Sequence, residues 1–167
     1  MKGDDANFDE LVGVYQKCYA GLVKYLQRIL RDSSGLLAED IAQDTFAVLV
    51  RKWPEVRNHP NIMAWLHMVA RRLAIKKLKD RSHEFSMGDL DPDHAGAGES
   101  DPLDSHVADM DLWKAISKLS ARQREVIWLF HFKDFKQDEI ATIMQIKRST
   151  VGALLSQARS RLAGLMG

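Results

Sequence analysis

Apolar residues recur at three- and four-residue spacing through most of the chain, and no run of them alternates with period two. That pattern predicts helices and no strands. Leu11, Tyr15, Tyr19, Leu22 and Leu26 or Ile29 line one side of a first helix. Ala42, Phe46, Leu49 and Trp53 line a second, which Pro54 is expected to stop. Ile62, Trp65, Leu66, Val69 and Leu73 line a third. After a polar stretch the periodicity resumes with a helix over 111–119. Another runs from 121 to about 132 and opens on Ser120 and Gln123 at the spacing of a capping box. A close pair follows. Ile140, Ala141 and Ile143 give its first helix a buried side, and Val151, Leu154, Leu155, Ala158, Leu162 and Leu165 recur along its second.

The pair carries the most information. A short helix, a tight turn and a second helix, with the small Ala141 permitting close approach, make a helix-turn-helix, whose second helix enters the major groove of DNA. Two packed amphipathic helices without a DNA role have the same periodicity, so the rest of the chain must decide. With Val151, Ala158 and Leu162 buried, the outward positions are Ser149, Gly152, Ala153, Ser156, Gln157 and Ser160. Gln157 is suited to a base edge and Ala153 to a thymine methyl. Arg148 and Arg159 are suited to phosphate, and Lys147 and Thr150 complete the candidate duplex-binding set.

Charge divides the chain. The 167 residues have a net charge of +1, which by itself hides any affinity for nucleic acid. Residues 1–81 hold 14 Lys and Arg against 10 Asp and Glu; 82–109 hold none against 8; 110–167 hold 10 against 5. Two basic blocks thus flank an acidic segment that also contains Gly88, Pro92, Gly96, Gly98 and Pro102. Such a composition reads as a linker, either a solvated tether or a strand of negative charge that occupies a basic channel in a partner. The expected fold is therefore all-α, with two small helical domains, 1–81 and 110–167, on a flexible acidic linker. Cys18 is the only cysteine, which rules out an internal disulfide and fits a reducing cytoplasm. The start of the chain does not read as a signal peptide, and no apolar segment is long enough to insert in a membrane.

Two further features point to partners. Arg72, Lys76 and Lys79 share a side of the third helix, with Arg71 beside them, and such a stripe can follow a phosphate backbone. Trp65, on the same helix, is either core or a stacking surface for an unpaired base. The loop before it, with Asn58, His59, Pro60 and Asn61, is either a turn or a reader of exposed base edges. On the second helix, Asp40, Gln43, Asp44 and Arg51 lie away from the apolar stripe. A small charged patch on a rigid helix is either solvated or docks on a basic partner helix.

These residues carry a resemblance. Ala38-Glu39-Asp40-Ile41-Ala42-Gln43-Asp44-Thr45-Phe46 and Ala64-Trp65-Leu66-His67-Met68-Val69-Ala70-Arg71-Arg72 resemble region two of bacterial sigma factors of the extracytoplasmic-function group. Leu119-Ser120-Ala121-Arg122-Gln123-Arg124-Glu125-Val126-Ile127, Asp138-Glu139-Ile140-Ala141, Thr150-Val151 and Ala158-Arg159 resemble region four. The resemblance implies core RNA polymerase and promoter DNA as partners, with no cofactor. It implies that Asp40, Gln43, Asp44 and Arg51 grip the clamp helices of the largest polymerase subunit. The loop with Asn58, His59 and Asn61, and the helix with Trp65, Arg71, Arg72, Lys76 and Lys79, would hold the melted non-template strand of the minus-ten element. The helix-turn-helix would read the minus-35 duplex, and the linker would thread through polymerase. An anti-sigma protein is a candidate further partner.

The chain departs from its relatives in one place. Family members commonly have Gly and Ser where this chain has Gln145 and Lys147, and Lys and Arg where it has Gly152 and Leu154. Ser149 is then the residue expected to cap the recognition helix, one turn late. Two other functions compete. A helix-turn-helix repressor or activator would bind duplex DNA unaided, but it has no use for a separate domain with a basic helix. An enzyme acting on nucleic acid finds no support, since the six histidines do not form a metal-ligand spacing and no phosphate-cradling glycine loop is present.

Overall fold

The computed structural model describes residues 2–30, 35–81 and 110–166, and among them every regular element is helical. The acidic segment 82–109, expected to be a linker, lies outside the described residues. The chain divides into two compact units, Met1–Lys77 and Leu78–Gly167. Among the described residues no helix is long and apolar enough to cross a membrane.

In the first unit, α1 (Lys2–Leu30) and α2 (Leu36–Arg51) form a hairpin, followed by the short α3 (Trp53–Val56) and by α4 (Ile62–Arg81), whose residues from Leu78 on are counted with the second unit. Gly35 makes the hairpin possible. It sits at φ 76°, which a side chain opposes, and a Cβ there would come within 2.8 Å of Gln27. The α1 core seam is Cys18, Leu22, Tyr25 and Leu26, shifted from the expected stripe, and Tyr15 is 43% exposed. Length explains the shift. At 1.5 Å per residue α1 runs about 43 Å and α2 about 24 Å, so the N-terminal half of α1 meets only the far end of α2. There Tyr15 stacks on Tyr19 at 4.9 Å and meets the Phe46 ring edge-on at 5.0 Å.

Ala38, Ile41, Ala42, Thr45, Phe46 and Leu49 form the buried face of α2. The Thr45 hydroxyl satisfies itself by donating to the Ile41 carbonyl at 2.7 Å. Pro54 does not stop this helix. The break comes at Lys52, and Pro54 lies in the first turn of α3, where its missing N–H costs no helical bond. On α4 the expected stripe is displaced towards small residues. Ala64, Leu66, His67, Ala70 and Ala74 are buried, while Ile62, Trp65, Val69 and Leu73 are only half-buried. Alanines let a helix backbone approach its neighbours closely, so large-residue periodicity alone misplaces the seam.

In the second unit, α5 (Met110–Ser117) ends two residues before the expected limit. Two overlapping four-residue turns, Lys118 N–H to Ala115 O and Leu119 N–H to Ile116 O, then drop Leu119 into the core. The capping box opening α6 (Ala121–Ile127) forms as expected: the Ser120 hydroxyl accepts from the Gln123 N–H at 3.3 Å, and the Gln123 side chain accepts from the Ser120 N–H at 3.2 Å. The helix does not stay α-helical to 132. It continues as a π-helical turn, Trp128–Phe132, closed by Lys133 N–H to Trp128 O at 3.1 Å. The turn brings Trp128 onto Phe132 at 4.9 Å, and Trp113 of α5 stacks on Phe132 at 5.3 Å. These ring pairs hold the wider turn in place.

The pair α7 (Gln137–Met144) and α8 (Arg148–Met166) completes the unit. Ile140, Ile143 and Met144 from α7 and Val151, Leu155 and Ala158 from α8 are buried. The expected seam fades beyond Ala158, with Leu162 half-buried and Leu165 41% exposed.

Candidate nucleic-acid and polymerase interfaces

Asp40, Gln43, Asp44 and Arg51 are all exposed on α2, opposite its buried face. They form a ridge held rigid by the core beneath. The ridge is connected to α4, because Lys77 lies 3.8 Å from the Asp44 carboxylate. This link between the two candidate surfaces of the first unit joins residues 33 positions apart and has no local signature in the sequence.

The loop between α3 and α4 has a definite internal order. Arg57 at its entrance pairs with Glu10 of α1 at 3.4 Å. Asn61 caps α4: its side-chain oxygen accepts from the Ala64 N–H at 3.0 Å. The Asn61 N–H in turn donates to His59 Nδ1 at 3.0 Å. A ring nitrogen that accepts carries no proton, so in the neutral ring the proton sits on Nε2. His59 therefore offers a donor on its other side. Asn58 and His59 are exposed, whereas the Asn61 oxygen is committed to the helix. Beyond the loop, Trp65 is half-buried, so it is neither full core nor an open platform. Arg72, Lys76 and Lys79 are exposed on one side of α4, and Arg71 is half-buried beside them.

In the helix-turn-helix the turn is made at Gln145, with φ 56° and ψ 47°. This is the left-handed conformation that usually ends a helix on glycine. Lys147 precedes α8 and its carbonyl accepts from the Val151 N–H at 3.1 Å, which makes it the N-cap residue. Ser149 lies inside the first turn, so it does not cap the helix as expected. A cap needs the non-helical backbone that Lys147 has, and a lysine side chain has no acceptor. Lys147, Arg148, Ser149, Ala153, Ser156, Gln157 and Arg159 are exposed, while Thr150 and Gly152 are half-buried.

Both arginines of the duplex-binding set have partners. Arg148 pairs with Asp138 of α7 at 3.2 Å, and the Arg159 guanidinium lies over the Phe130 ring at 5.3 Å. Gly152 does not face open space: a Cβ there would lie 3.6 Å from the Gln137 carboxamide. Sequence reasoning missed Gln137, Asp138 and Phe130, because periodicity does not encode contacts between elements.

Comparison with known proteins finds relatives for both units. The family model for sigma-70 region 2 matches residues 14–84, and that for sigma-70 region 4 matches residues 109–162. The sigma factor SigV of Bacillus subtilis is 31% identical over 121 residues, covering 72% of this chain and 70% of that protein. The extracytoplasmic-function (ECF) sigma factor SigM of the same organism is 25% identical over 158 residues, covering 91% of this chain and 92% of that one. Among solved structures, the sigma factor RpoE of Bartonella quintana, crystallised with the anti-sigma factor NepR, aligns with a TM-score of 0.69 at 25% identity. It covers 94% of this chain and 96% of its own. With both regions matched in order, this chain belongs to the ECF group of the sigma-70 family, the factors that bind RNA polymerase and promoter DNA to direct transcription initiation.

Proposed function

We propose that residues 1–81 serve core polymerase and the minus-ten element, that 110–167 serve the minus-35 element, and that 82–109 link them. Asp40, Gln43, Asp44 and Arg51 are the polymerase contacts. Asn58 and His59 read bases of the melted non-template strand, His59 through its Nε2 proton, while Asn61 holds the loop in shape. Trp65 supports an unstacked base, and Arg71, Arg72, Lys76 and Lys79 follow the strand's phosphates. The residues Lys147, Arg148, Ser149, Thr150, Gly152, Ala153, Ser156, Gln157 and Arg159 meet the minus-35 duplex. The protein acts in the cytoplasm, without catalysing a reaction of its own, and an anti-sigma protein is a candidate regulator.

The observation that carries this reading is the exposed basic stripe on α4. That helix directly follows a loop that is ordered by its own hydrogen bonds and leaves Asn58 and His59 exposed. A duplex-binding repressor has no need of such a surface. A mobility-shift assay on promoter duplex with and without core polymerase separates the two. The sigma reading requires a specific complex only when polymerase is present, and a specific complex formed by the chain alone supports the repressor.

A further inference from the structure

The recognition helix has no Lys or Arg from Ser149 to Ala158, so the arginines that flank this stretch weigh heavily in any contact with a phosphate strand. Arg148 and Arg159 are both exposed and lie eleven residues apart, about three turns, so they share a side of α8. Their partners differ in kind. Asp138 is a carboxylate, 3.2 Å from Arg148, and it offsets the arginine's charge and takes up N–H donors. Phe130 is a ring, its centre 5.3 Å from the Arg159 guanidinium carbon. A ring attracts the cation through its quadrupole without cancelling the charge, and it is no carboxylate competing for the five N–H donors. Arg159 is thus held in place and still able to bind an anion. The ring owes its position to the π-helical turn Trp128–Phe132. Trp128 and Phe132 stack at 4.9 Å on one side of that turn. Phe130, two residues from each, falls on the other side, half-buried, where Arg159 meets it. A π-helical turn within a helix frequently marks a functional position.

We propose that Phe130 is a positioning residue for promoter binding: its ring holds the Arg159 guanidinium ready for a backbone phosphate of the minus-35 duplex. This rests on the reading of Arg159 as a contact to that duplex. A free arginine side chain spreads over many rotamers and loses that freedom when it meets a phosphate. A guanidinium already held over a ring has less freedom to lose, so the same charge contact gives tighter binding. Phe130 therefore sets affinity through Arg159. It touches no DNA, selects no sequence and releases no counterion of its own.

The test is holoenzyme, assembled from the full chain and core polymerase, binding promoter duplex across a salt titration. The parent, Phe130→Leu, Arg159→Ala and the double variant are compared, with tryptophan fluorescence melting to check that each folds. Arg159→Ala should weaken binding and flatten the slope of log affinity against log salt by about 0.9, the worth of one phosphate contact. Phe130→Leu should weaken binding by about twofold to fivefold, the span of an exposed cation–π contact, with the slope unchanged. In the Arg159→Ala background it should cost nothing further. A second series replaces Phe130 with mono-, di- and trifluorinated phenylalanine, which keeps the ring's shape while draining its negative face. Affinity should fall with each fluorine when Arg159 is present and stay level when it is absent. This series decides the matter even if Phe130→Leu fails to fold. If the fluorinated rings leave affinity unchanged, or lower it equally without Arg159, the proposal is overturned. If Arg159→Ala changes neither affinity nor slope, Arg159 is no duplex contact, and the reading beneath the proposal falls with it.

Discussion

The Lys77 ammonium stands 3.8 Å from the Asp44 carboxylate, tying the polar ridge of α2 to the basic end of α4. Both side chains are substantially exposed, at 37% and 62%, so the pair contributes less than about 1 kcal/mol to folding. Asp44→Arg should therefore leave the helical fold intact while weakening binding to core polymerase. Removing one partner of a buried charge pair at an interface typically costs a few kcal/mol. Competition binding with labelled core polymerase measures it, and Lys77→Ala is the control that breaks the pair from the other side. Equal core affinity in parent and Asp44→Arg would remove this ridge from the interface.

The stripe on α4 is expected to act without regard to sequence. Replacing both Arg72 and Lys76 with alanine should reduce open-complex formation on every promoter and flatten its salt dependence. The log–log slope should fall by about 0.7 for each single-strand phosphate no longer neutralised. Permanganate footprinting of the melted region across a salt series gives the answer. A defect confined to one promoter sequence would mean that these side chains read bases.

Gln145 offers a test of the turn itself. A side chain at φ 56° opposes the left-handed backbone that glycine adopts freely. Gln145→Gly should stabilise the second unit by about 1 kcal/mol with promoter preference unchanged. Trp113 and Trp128 lie in this unit and Trp53 and Trp65 in the other. Urea unfolding read by fluorescence in Trp53→Phe, Trp65→Phe background reports the second unit alone. A fall in stability would mean that the Gln145 side chain contributes more than its backbone costs.

The helices and their order were legible because three- and four-residue periodicity reports burial directly, and the Ser120–Gln123 box marked its helix start to the residue. The buried face of the recognition helix was legible to Ala158, beyond which Leu162 is half-buried and Leu165 exposed. What was not legible depends on geometry between elements. The α4 seam runs through alanines, which carry too little apolar weight to stand out. The π-helical turn Trp128–Phe132 sets Phe132 against Trp113, nineteen residues earlier. In the candidate sites, residue type and spacing identified the exposed stripe and ridge. They did not reveal that Asn61 is a cap or that His59 Nδ1 accepts from the Asn61 N–H. Each of these is an interaction across a turn.

Gln157 is exposed on the recognition helix. Gln157→Ala should relax preference within the minus-35 element by about 1–3 kcal/mol at the affected position, the worth of a good bidentate base contact. Transcription from templates randomised across that element, sequenced before and after, reads the change. An unaltered preference would assign α8 an anchoring role only.

The most direct test of the central claim is run-off transcription from a library of promoter sequences, with purified core RNA polymerase as the only other protein. Adding the chain should produce initiation from a defined subset sharing a minus-35 and a minus-ten motif, with no transcript from core polymerase alone. No initiation above core polymerase alone, together with sequence-specific duplex binding by the isolated chain, would contradict the account.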